Sequence, residues 1–451
     1  MTSCRKRILV TLFFSVAAVE FFAAGPDDFQ QPATSCWMAH CNPQMSNQEA
    51  LSVIPSGNFS VSAWDTVPAG SFRGLGVSAN GNVIAASYAD IPGVVVYNQD
   101  GVRLWDSGSL SDGRSFTSAP IVSADGHVIA ADDRHVTFYN PDGSVFEQTR
   151  TPGGLPTSPI ITDNGVLVLA ASGGPVSAYS ISTGAILGRL YLGDPGGRNY
   201  YDTVNTPCTI GNRVYISTAL RNDPSNAGRL YAVDVTNSSS PLTVAWYYTF
   251  GGGSGASPLC VPNVNGYSTA IFFDGLHAAP GNIGDPTVYA VGDAGTSGET
   301  MWTVNAGGWI PASMAYEDDP AYGESLWFYW SENPWLRELN LETGTMTRSI
   351  YTGDILGSLP RGCGWVPASA LSMAGDQMIL SLVASPMGTG GAYVVDIDTT
   401  DGKLQWQVQV AEDDSTDAAH GQFPLVLNSA QVPCVAFTTY HSGLRLACSS
   451  Q

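Results

Sequence analysis

The chain has 451 residues, including 50 Gly and 28 Pro, which excludes a long-helix or coiled-coil protein because both residues fit poorly inside helices. Hydrophobic residues form 44% and aromatic residues 10% of the chain, which is enough to bury a large core. The formal net charge of −21 excludes a general nucleic-acid binder and disfavours adhesion to an anionic membrane.

The first 25 residues have the pattern of a secretory signal peptide. Arg5, Lys6 and Arg7 form a positive segment, residues 8–19 are mainly apolar, and small residues suited to cleavage follow at 23–25. The apolar run is shorter than the roughly 18 residues that a transmembrane helix needs. We therefore predict a signal peptide over residues 1–25, with an uncleaved anchor as the alternative. The mature protein is predicted to be secreted or periplasmic, without a transmembrane segment.

An N-terminal extension is predicted over residues 26–57, where Cys36 and Cys41 are close enough for a local disulfide. Export permits such bonds. A second disulfide is predicted between Cys434 and Cys448, because they lie on two apolar runs that a turn near residues 440–443 joins into a hairpin. Two points stay open in the sequence: a Cys208–Cys260 pair, and a free or intermolecular Cys363.

From residue 58 to residue 451 one pattern recurs eight times. A short β-forming run is followed by a turn, usually containing Gly, and a second run that often carries an aromatic residue, as in residues 94–98, Asp100-Gly101 and Trp105. The equivalent positions are 40 to 58 residues apart, namely Asn98, Asn140, Ser180, Asp234, Gly292, Asn340, Asp396 and Cys448. Such a period of short strands and Gly turns indicates propeller blades.

A second run precedes each copy, and in most copies a Pro marks its start, where no ladder N–H is required. These prolines are Pro120, Pro159, Pro207, Pro258, Pro311, Pro367 and Pro424. The last copy lacks a fourth strand, and residues 59–64 form an extra strand that belongs to no complete copy. The sequence therefore predicts an all-β, eight-bladed β-propeller of four-stranded antiparallel blades, whose last blade is closed by an N-terminal strand.

The tryptophans of the repeat are predicted to pack one blade against the next: Trp64, Trp105, Trp246, Trp302 and Trp406. The acidic triplets at residues 317–319 and 412–414 are predicted to be solvated loops, with a weak calcium site as the alternative. Residues 396–402 are predicted to form a repeat turn. The six His are scattered, and no metal site is predicted.

The copies at 231–234 (Tyr-Ala-Val-Asp), 339–344 (Leu-Asn-Leu-Glu-Thr-Gly) and 395–406 (Val-Asp to Trp) resemble the quinoprotein-like (PQQ-like) β-propeller repeat family. The resemblance covers nearly all of residues 59–449. It implies one of two classes: dehydrogenases that bind pyrroloquinoline quinone with calcium, or non-enzymatic propellers such as the periplasmic assembly lipoprotein of the outer-membrane β-barrel machine. The chain departs from both, since it has neither the adjacent cysteines of the first class nor the lipid-bearing Cys of the second.

The first strand of each blade lines the central channel of a propeller, so the residue two positions before each Pro is predicted to lie at the channel mouth. This ring comprises Arg73, Ser118, Thr157, Asn205, Ala256, Trp309, Trp365 and Gln422, with His420 slightly further out. Arg supplies forked donors and Trp a flat stacking face, which together suit a small anionic or sugar-like ligand. We predict ligand binding by Arg73, Asn205, Trp309, Trp365, His420 and Gln422, with a simple plug of the channel as the alternative.

The function predicted from these observations is that of an exported, non-catalytic binding or scaffold propeller with a protein or glycan partner, or a small ligand at the mouth, and no cofactor. The alternative is a secreted enzyme with its site at the mouth. That enzyme would be a quinone- and calcium-dependent oxidoreductase or a polysaccharide lyase or hydrolase.

Overall fold

The computed structural model describes residues 39, 42, 44, 59–63, 72–78, 83–88, 93–108, 118–151, 153–193, 201–203, 205–220, 227–238, 240–251, 256–277, 285–319, 323–331, 333–357, 359, 364–385, 390–411, 419–420, 423–439 and 443–449. Several predicted features lie outside these residues: the signal peptide, the Cys36–Cys41 pair, Trp64, Cys363, the acidic triplet at 412–414 and Gln422.

Strand β1 (Phe59–Ala63) precedes the first blade. Blade 1 contains β2 (Phe72–Val77), β3 (Val83–Tyr88), β4 (Val94–Asn98) and β5 (Arg103–Asp106). Blade 2 contains β6 (Ile121–Val122), β7 (Val128–Ala131), β8 (His135–Tyr139) and β9 (Val145–Arg150). Blade 3 contains β10 (Ile160–Ile161), β11 (Val166–Ala170), β12 (Pro175–Ser180) and β13 (Ile186–Tyr191). Blade 4 contains β14 (Tyr201–Asp202), β15 (Cys208–Ile210), β16 (Arg213–Leu220), β17 (Ala227–Val235) and β18 (Leu242–Gly251).

Blade 5 contains β19 (Leu259–Val264), β20 (Tyr267–His277), β21 (Asp285–Asp293) and β22 (Gly298–Asn305). Blade 6 contains β23 (Ala315–Asp319), β24 (Gly323–Phe328), β25 (Trp335–Asn340) and β26 (Met346–Tyr351). Blade 7 contains β27 (Gly364–Pro367), β28 (Ser372–Ala374), β29 (Gln377–Ser385), β30 (Ala392–Asp398) and β31 (Leu404–Ala411). Blade 8 contains β32 (Ala419–His420), β33 (Leu425–Leu427), β34 (Pro433–Thr439) and β35 (Gly443–Ser449).

The strands form eight separate antiparallel sheets arranged round a common axis. Within each blade the strands follow one another outward in chain order, and in blades 4, 7 and 8 two short pieces share the innermost position. The prediction of an eight-bladed, all-β propeller is confirmed. No helix in the described part of the chain is long and apolar enough to cross a membrane.

The N-terminal strand completes the last blade, as predicted. β1 pairs antiparallel with β35 from Phe59↔Ser449 to Ala63↔Arg445 and supplies the fourth, outermost strand. The ring of Phe59 stacks on Trp406 of blade 7, with the ring centroids 4.3 Å apart. β1 therefore completes the sheet of blade 8 and also packs against blade 7.

Tryptophans on the fourth strands contact the following blade, which fits their predicted packing role. The indole N–H of Trp105 donates to the carbonyl of Pro141 (3.0 Å), and that of Trp302 donates to Leu341 (2.9 Å). Each indole lies over a turn glycine, since a Cβ added to Gly143 or Gly344 would come within 2.7 Å of it. The repeated Gly thus provides the positive φ of the turn and also the space for the preceding blade's tryptophan.

Two disulfides tie the sheet framework. Cys434 and Cys448 are bonded and lie directly opposite each other in the β34–β35 hairpin, with a Cα–Cα distance of 4.0 Å, as the hairpin predicts. Cys208 and Cys260, left open by the sequence, are also bonded and link the innermost strands of blades 4 and 5. Gln44 of the N-terminal extension also contacts this strand, since its carbonyl accepts the N–H of Cys260 at 2.9 Å.

Candidate functional site

The mouth face of the propeller is the face on which the first strand of each blade begins. Antiparallel pairing places the ends of the second and fourth strands and the beginnings of the third strands on the same face. At the centre, Ser118 and Thr157 are almost fully buried, and their hydroxyls donate to Ala131 (2.8 Å) and Ala170 (3.0 Å) in the second strands of their own blades. These two ring positions therefore use their polar groups to hold the blade together.

Serine side chains near the mouth link successive blades. The hydroxyl of Ser158 accepts the N–H of Ala119 (2.9 Å), and that of Ser257 accepts the N–H of Thr206 (3.1 Å). The hydroxyl of Ser313 in turn accepts the N–H of Ser257 (3.2 Å). Each bond satisfies a buried backbone donor with an oxygen from the next blade, so the mouth has a rigid rim.

Three of the predicted ligand-binding residues, Arg73, Asn205 and His420, lie in different blades. Arg73 lies in β2 and His420 in β32, both at the mouth end of their blades, and nothing further is described of their side chains. Asn205 is half-buried, and its N–H donates to the hydroxyl of Thr203. Ligand binding by this ring stays a prediction.

Trp309 and Trp365 differ although their local sequences are near copies. Trp309 precedes its blade's first strand and is 54% exposed, whereas Trp365 lies within β27 opposite Ala384 and is 5% exposed. The indole N–H of Trp365 donates to the carbonyl of Gly357 (3.1 Å), and its ring packs edge-on against Tyr393. Of these two residues, therefore, only Trp309 offers a ring face to a ligand.

A cleft between blades 3 and 4 opens on the mouth face and is lined mainly by tyrosine; we call it the tyrosine cleft. Its described lining residues are Tyr191, Gly193, Tyr201, Leu220, Arg229, Tyr231, Val244 and Tyr247, and its volume is about 520 Å³. The guanidinium of Arg229 lies 4.0 Å from the ring centre of Tyr247 and 4.4 Å from that of Tyr201. Its Nη1 donates to the hydroxyl of Tyr231 (3.2 Å). Burial acts to lower the pKa of Arg229, but the tyrosines outweigh it and raise the pKa, so the guanidinium stays charged.

A second aromatic cluster lies on the mouth side of blade 6, and we call it the tryptophan cluster. It contains Trp330, Trp335, Tyr351 and Arg337. Arg337 lies 5.1 Å from the ring centre of Trp330 and 5.3 Å from that of Trp335. Trp335 packs against Tyr351, which is 43% exposed. Exposed Trp309 lies beside the tryptophan cluster, because its carbonyl accepts the N–H of Ser331, which follows Trp330.

Two other arginines are held by carboxylates. Arg213 donates to Asp234 (2.6 Å), Asp293 (2.9 Å) and the carbonyl of Gly295 (2.8 Å), on the face opposite the mouth. Burial acts to raise the pKa of Asp293, but hydrogen bonds from Tyr215 and Arg213 outweigh it and hold the pKa below its usual range. This group joins blade 4 to blade 5 through paired charges.

Arg348 is the centre of the second carboxylate group. It donates to Glu338 (2.6 Å), Glu317 (3.2 Å) and the carbonyl of Thr399 in blade 7 (2.9 Å). The prediction that residues 317–319 form a solvated loop is wrong at Glu317, which lies in β23, is 1% exposed and also accepts the indole N–H of Trp327 (2.6 Å). Burial raises the pKa of Glu317 and prevails over the hydrogen bonds and the charge of Arg348. Glu317 therefore joins blades and is not a surface ligand.

The contrast between the two kinds of arginine identifies the candidate site. The chain has 39 acidic and 18 basic side chains. Within the described residues, Arg229 and Arg337 nevertheless contact aromatic rings and no carboxylate. The repeat pattern in the sequence did not identify either. One feature of the sequence could have indicated the Arg229 site: Arg229 and Tyr231 alternate onto the same face at the start of a third strand. Its other two ring partners, Tyr201 and Tyr247, come from other strands, which no local pattern indicates.

The described residues do not fit a quinone with calcium at the mouth. Calcium takes six to eight oxygen ligands, usually including several carboxylates. The described ring hydroxyls are bonded to backbone carbonyls, and no group of three or more His, Cys, Asp or Glu suited to a metal occurs among the described residues. We therefore derive no chemical step through that cofactor.

Comparisons with known proteins support the fold. A family model described as "Outer membrane protein assembly factor BamB" matches residues 55–261. Among solved structures, the chain is similar to the quinohemoprotein alcohol dehydrogenase from Comamonas testosteroni (10% identity, 94% of this chain and 81% of that one, TM-score 0.61). It is also similar to a europium-containing methanol dehydrogenase (11% identity, 93% and 98% coverage, TM-score 0.58) and to the C-terminal WD40 domain of Sif2 (10% identity, 88% and 100% coverage, TM-score 0.55). No curated protein sequence matches. Identities this low show the fold alone, and the propeller fold carries many functions.

Proposed function

We propose that this chain, an eight-bladed propeller built from PQQ-like repeats, is an exported binding or scaffold protein that holds its partner on the mouth face without catalysis. The observation that carries the proposal is the pair of aromatic-stacked arginines, Arg229 and Arg337, on that face. Aromatic residues and Arg are the residue types enriched where proteins bind partners. The rings beside them are open to solvent, since Tyr191, Tyr247 and Trp309 are 46%, 51% and 54% exposed.

The buried ionisable groups support the same proposal. Glu317, Glu338 and Asp293 hold Arg348 or Arg213 between blades, so their charges stabilise the ring of blades. A catalytic acid or base needs to reach a substrate proton within hydrogen-bonding distance. Glu317 and Asp293 are 1% and 6% exposed. These carboxylates suit a scaffold better than a reaction site.

Export is part of this proposal. The basic and then apolar N-terminus has the pattern of a signal peptide, and two disulfides are compatible with an oxidising compartment. A surface with a large negative charge keeps such a protein soluble by self-repulsion.

The test is a comparison of the wild-type protein with the double variant Arg229→Gln/Arg337→Gln on glycan and peptide arrays. Arg103→Gln/Lys403→Gln is the charge-matched control, because it removes two exposed positive charges where fourth strands begin, on the face opposite the mouth. We expect wild-type hits that the control keeps and the double variant loses, while all three proteins unfold at similar temperatures. Hits that survive in the double variant, or an array without hits, would contradict the proposal. Quinone-dependent dye reduction after loading with pyrroloquinoline quinone and Ca²⁺ would establish the enzymatic alternative.

A further inference from the structure

We propose that the tyrosine cleft binds a glycan that carries a uronic-acid unit, whose carboxylate pairs with Arg229. The inference rests on the proposed binding function and names the ligand class of one part of the mouth face. The cleft, at about 520 Å³, lies within the range of small-molecule sites, which is roughly 300–1,000 Å³.

The hydrogen bonding of Arg229 favours a carboxylate as its partner in the ligand. The guanidinium has five N–H donors, and one of them bonds to Tyr231, while Nε is buried without a partner in the described part of the chain. The rings of Tyr201 and Tyr247 contact the guanidinium and restrict its position, so its terminal donors are already placed in the cleft. A forked pair of oxygens is the acceptor that matches such an oriented guanidinium.

The charge around the cleft selects the sign of the ligand. Arg229 is the one charged residue among the described residues that line it, and the interactions that raise its pKa come from tyrosines. Arg213, by contrast, is already bonded to two carboxylates. Arg229 would repel a cationic ligand. An anionic group of the ligand would pair with Arg229 as the carboxylates of the protein pair with Arg213.

The shape and chemistry of the walls favour a sugar over a peptide. Tyr191 and Tyr247 present half-exposed rings that each combine a flat apolar face with a hydroxyl. A sugar ring has the same combination of an apolar face and a polar rim. Leu220 and Val244 are the only aliphatic side chains with branched carbons among the described lining residues, and both are partly exposed. The cleft therefore lacks the deep apolar pocket in which a peptide side chain usually anchors.

The experiment measures binding of uronic-acid trimers (galacturonate, mannuronate and guluronate) to the full mature protein by calorimetry. The matched ligand control is the methyl ester of the trimer that binds best, because it keeps the sugar rings and removes the charge. We expect one trimer to bind at low salt, the ester to bind at least about tenfold more weakly, and Arg229→Gln to lose a similar factor. Tyr247→Ala should weaken both the acid and the ester, because it removes a stacking face. Lys403→Gln, which removes an exposed positive charge on the opposite face, should bind like the wild type.

Three results would overturn the inference: no trimer binds, the acid and its ester bind equally, or Arg229→Gln keeps full affinity. A tetraglutamate peptide run in parallel separates this failure from that of the proposed function. If the peptide binds in an Arg229-dependent way and the trimers do not, the sugar assignment is wrong and the binding role stands. If neither binds and the arrays are also empty, both proposals fail.

Discussion

Asp396, near the end of the third strand of blade 7, is a buried carboxyl group that no cation holds within the described part of the chain. Its side chain is fully buried, and neither oxygen makes a hydrogen bond of good geometry to another described residue. Burial raises its pKa to about 7, the negative charge of Asp398 adds to this, and the neighbouring indole of Trp406 offsets only part of it. The folded protein therefore prefers the protonated form of Asp396.

This preference predicts a loss of stability as the pH rises. The folded-state pKa of about 7 lies above the ordinary value of 3.8, so folding binds a proton between these values. The contribution is fully present below about pH 4 and is lost as the pH rises through 7, with an upper limit of about 4 kcal/mol. We expect Asp396→Asn, which resembles the protonated acid, to raise the unfolding free energy at pH 8 and to leave it nearly unchanged at pH 4. Denaturant unfolding at both pH values measures this.

Asp293 is the control of opposite sign. Its pKa is held below the usual range because the hydrogen bonds from Tyr215 and Arg213 outweigh burial. Asp293→Asn should therefore destabilise the protein at pH 8 and have less effect at acidic pH. If Asp396→Asn destabilises the protein at pH 8 as Asp293→Asn does, the Asp396 carboxylate has a stabilising partner and burial does not govern its ionisation.

At the scale of single residues, the sequence predicts turns well and side-chain environments poorly. Gly143 and Gly344 follow from the repeat, because a turn with positive φ needs Gly at that position. The environment of Arg229 does not follow, because its two ring partners lie 28 and 18 residues away in the chain. Trp309 and Trp365 make the same point, since near-identical local sequences give one exposed and one buried ring.

At the scale of strands and turns, the contact of Trp302 with Gly344 of the next blade predicts that a methyl group added at Gly344 lowers stability. Gly344 has φ +68°, and a Cβ there would lie 2.6 Å from the Trp302 ring, whereas Gly375 has φ +62° and no atom within 4 Å. Both Gly344→Ala and Gly375→Ala place a side chain in the left-handed region, but only the first also displaces the indole. We expect Gly344→Ala to lower the unfolding free energy by about 1–3 kcal/mol more than Gly375→Ala. Equal losses in denaturant unfolding would show that the blade contact adds nothing.

The two disulfides predict unequal contributions to stability. Cys208–Cys260 closes 52 residues of chain and links two blades, while Cys434–Cys448 closes 14 residues within one hairpin. Because the loop entropy removed from the unfolded chain grows with the logarithm of loop length, the first bond should contribute about 1 kcal/mol more. Replacing each pair by Ala and comparing the unfolding free energies tests this ranking. A larger loss for the Cys434/Cys448 pair would mean that local strain or packing outweighs the loop entropy.

Strand boundaries explain why the acidic triplet at residues 317–319 was predicted wrongly. Pro marks the start of the first strand in most blades, as at Pro120 before β6 and Pro258 before β19. In blade 6, β23 begins at Ala315, four residues after Pro311, so the acidic residues that follow belong to a strand. Glu317 is buried there because Arg348 and Thr399 supply charge and hydrogen bonds from other strands, which no local pattern could indicate.

At the scale of the whole molecule, the arrangement of the eight blades could be predicted from the sequence, because it depends on the number and order of the strands. The last repeat lacks its fourth strand, and one extra strand precedes the first repeat. The simplest arrangement that uses every strand pairs the extra strand with the last repeat. The register of β1 against β35 confirms that solution. The strand count does not predict which part of the mouth face binds a ligand, because the tyrosine cleft and the tryptophan cluster are formed mainly by residues that are not part of the repeat.

Closure by β1 leads to the last prediction. A chain that begins at Gly70 lacks β1, which leaves the edge of β35 unpaired and removes Phe59 from Trp406. The comparison protein begins at Asn58, keeps β1 and lacks the same N-terminal extension, so the difference between the two isolates the closing strand. We expect the shorter chain to unfold at least about 5 °C lower and to self-associate in size-exclusion chromatography, because an open sheet edge offers unpaired donors and acceptors to a second copy. If both proteins unfold at the same temperature and stay monomeric, the ring is held by blade-to-blade packing and the strand exchange contributes little.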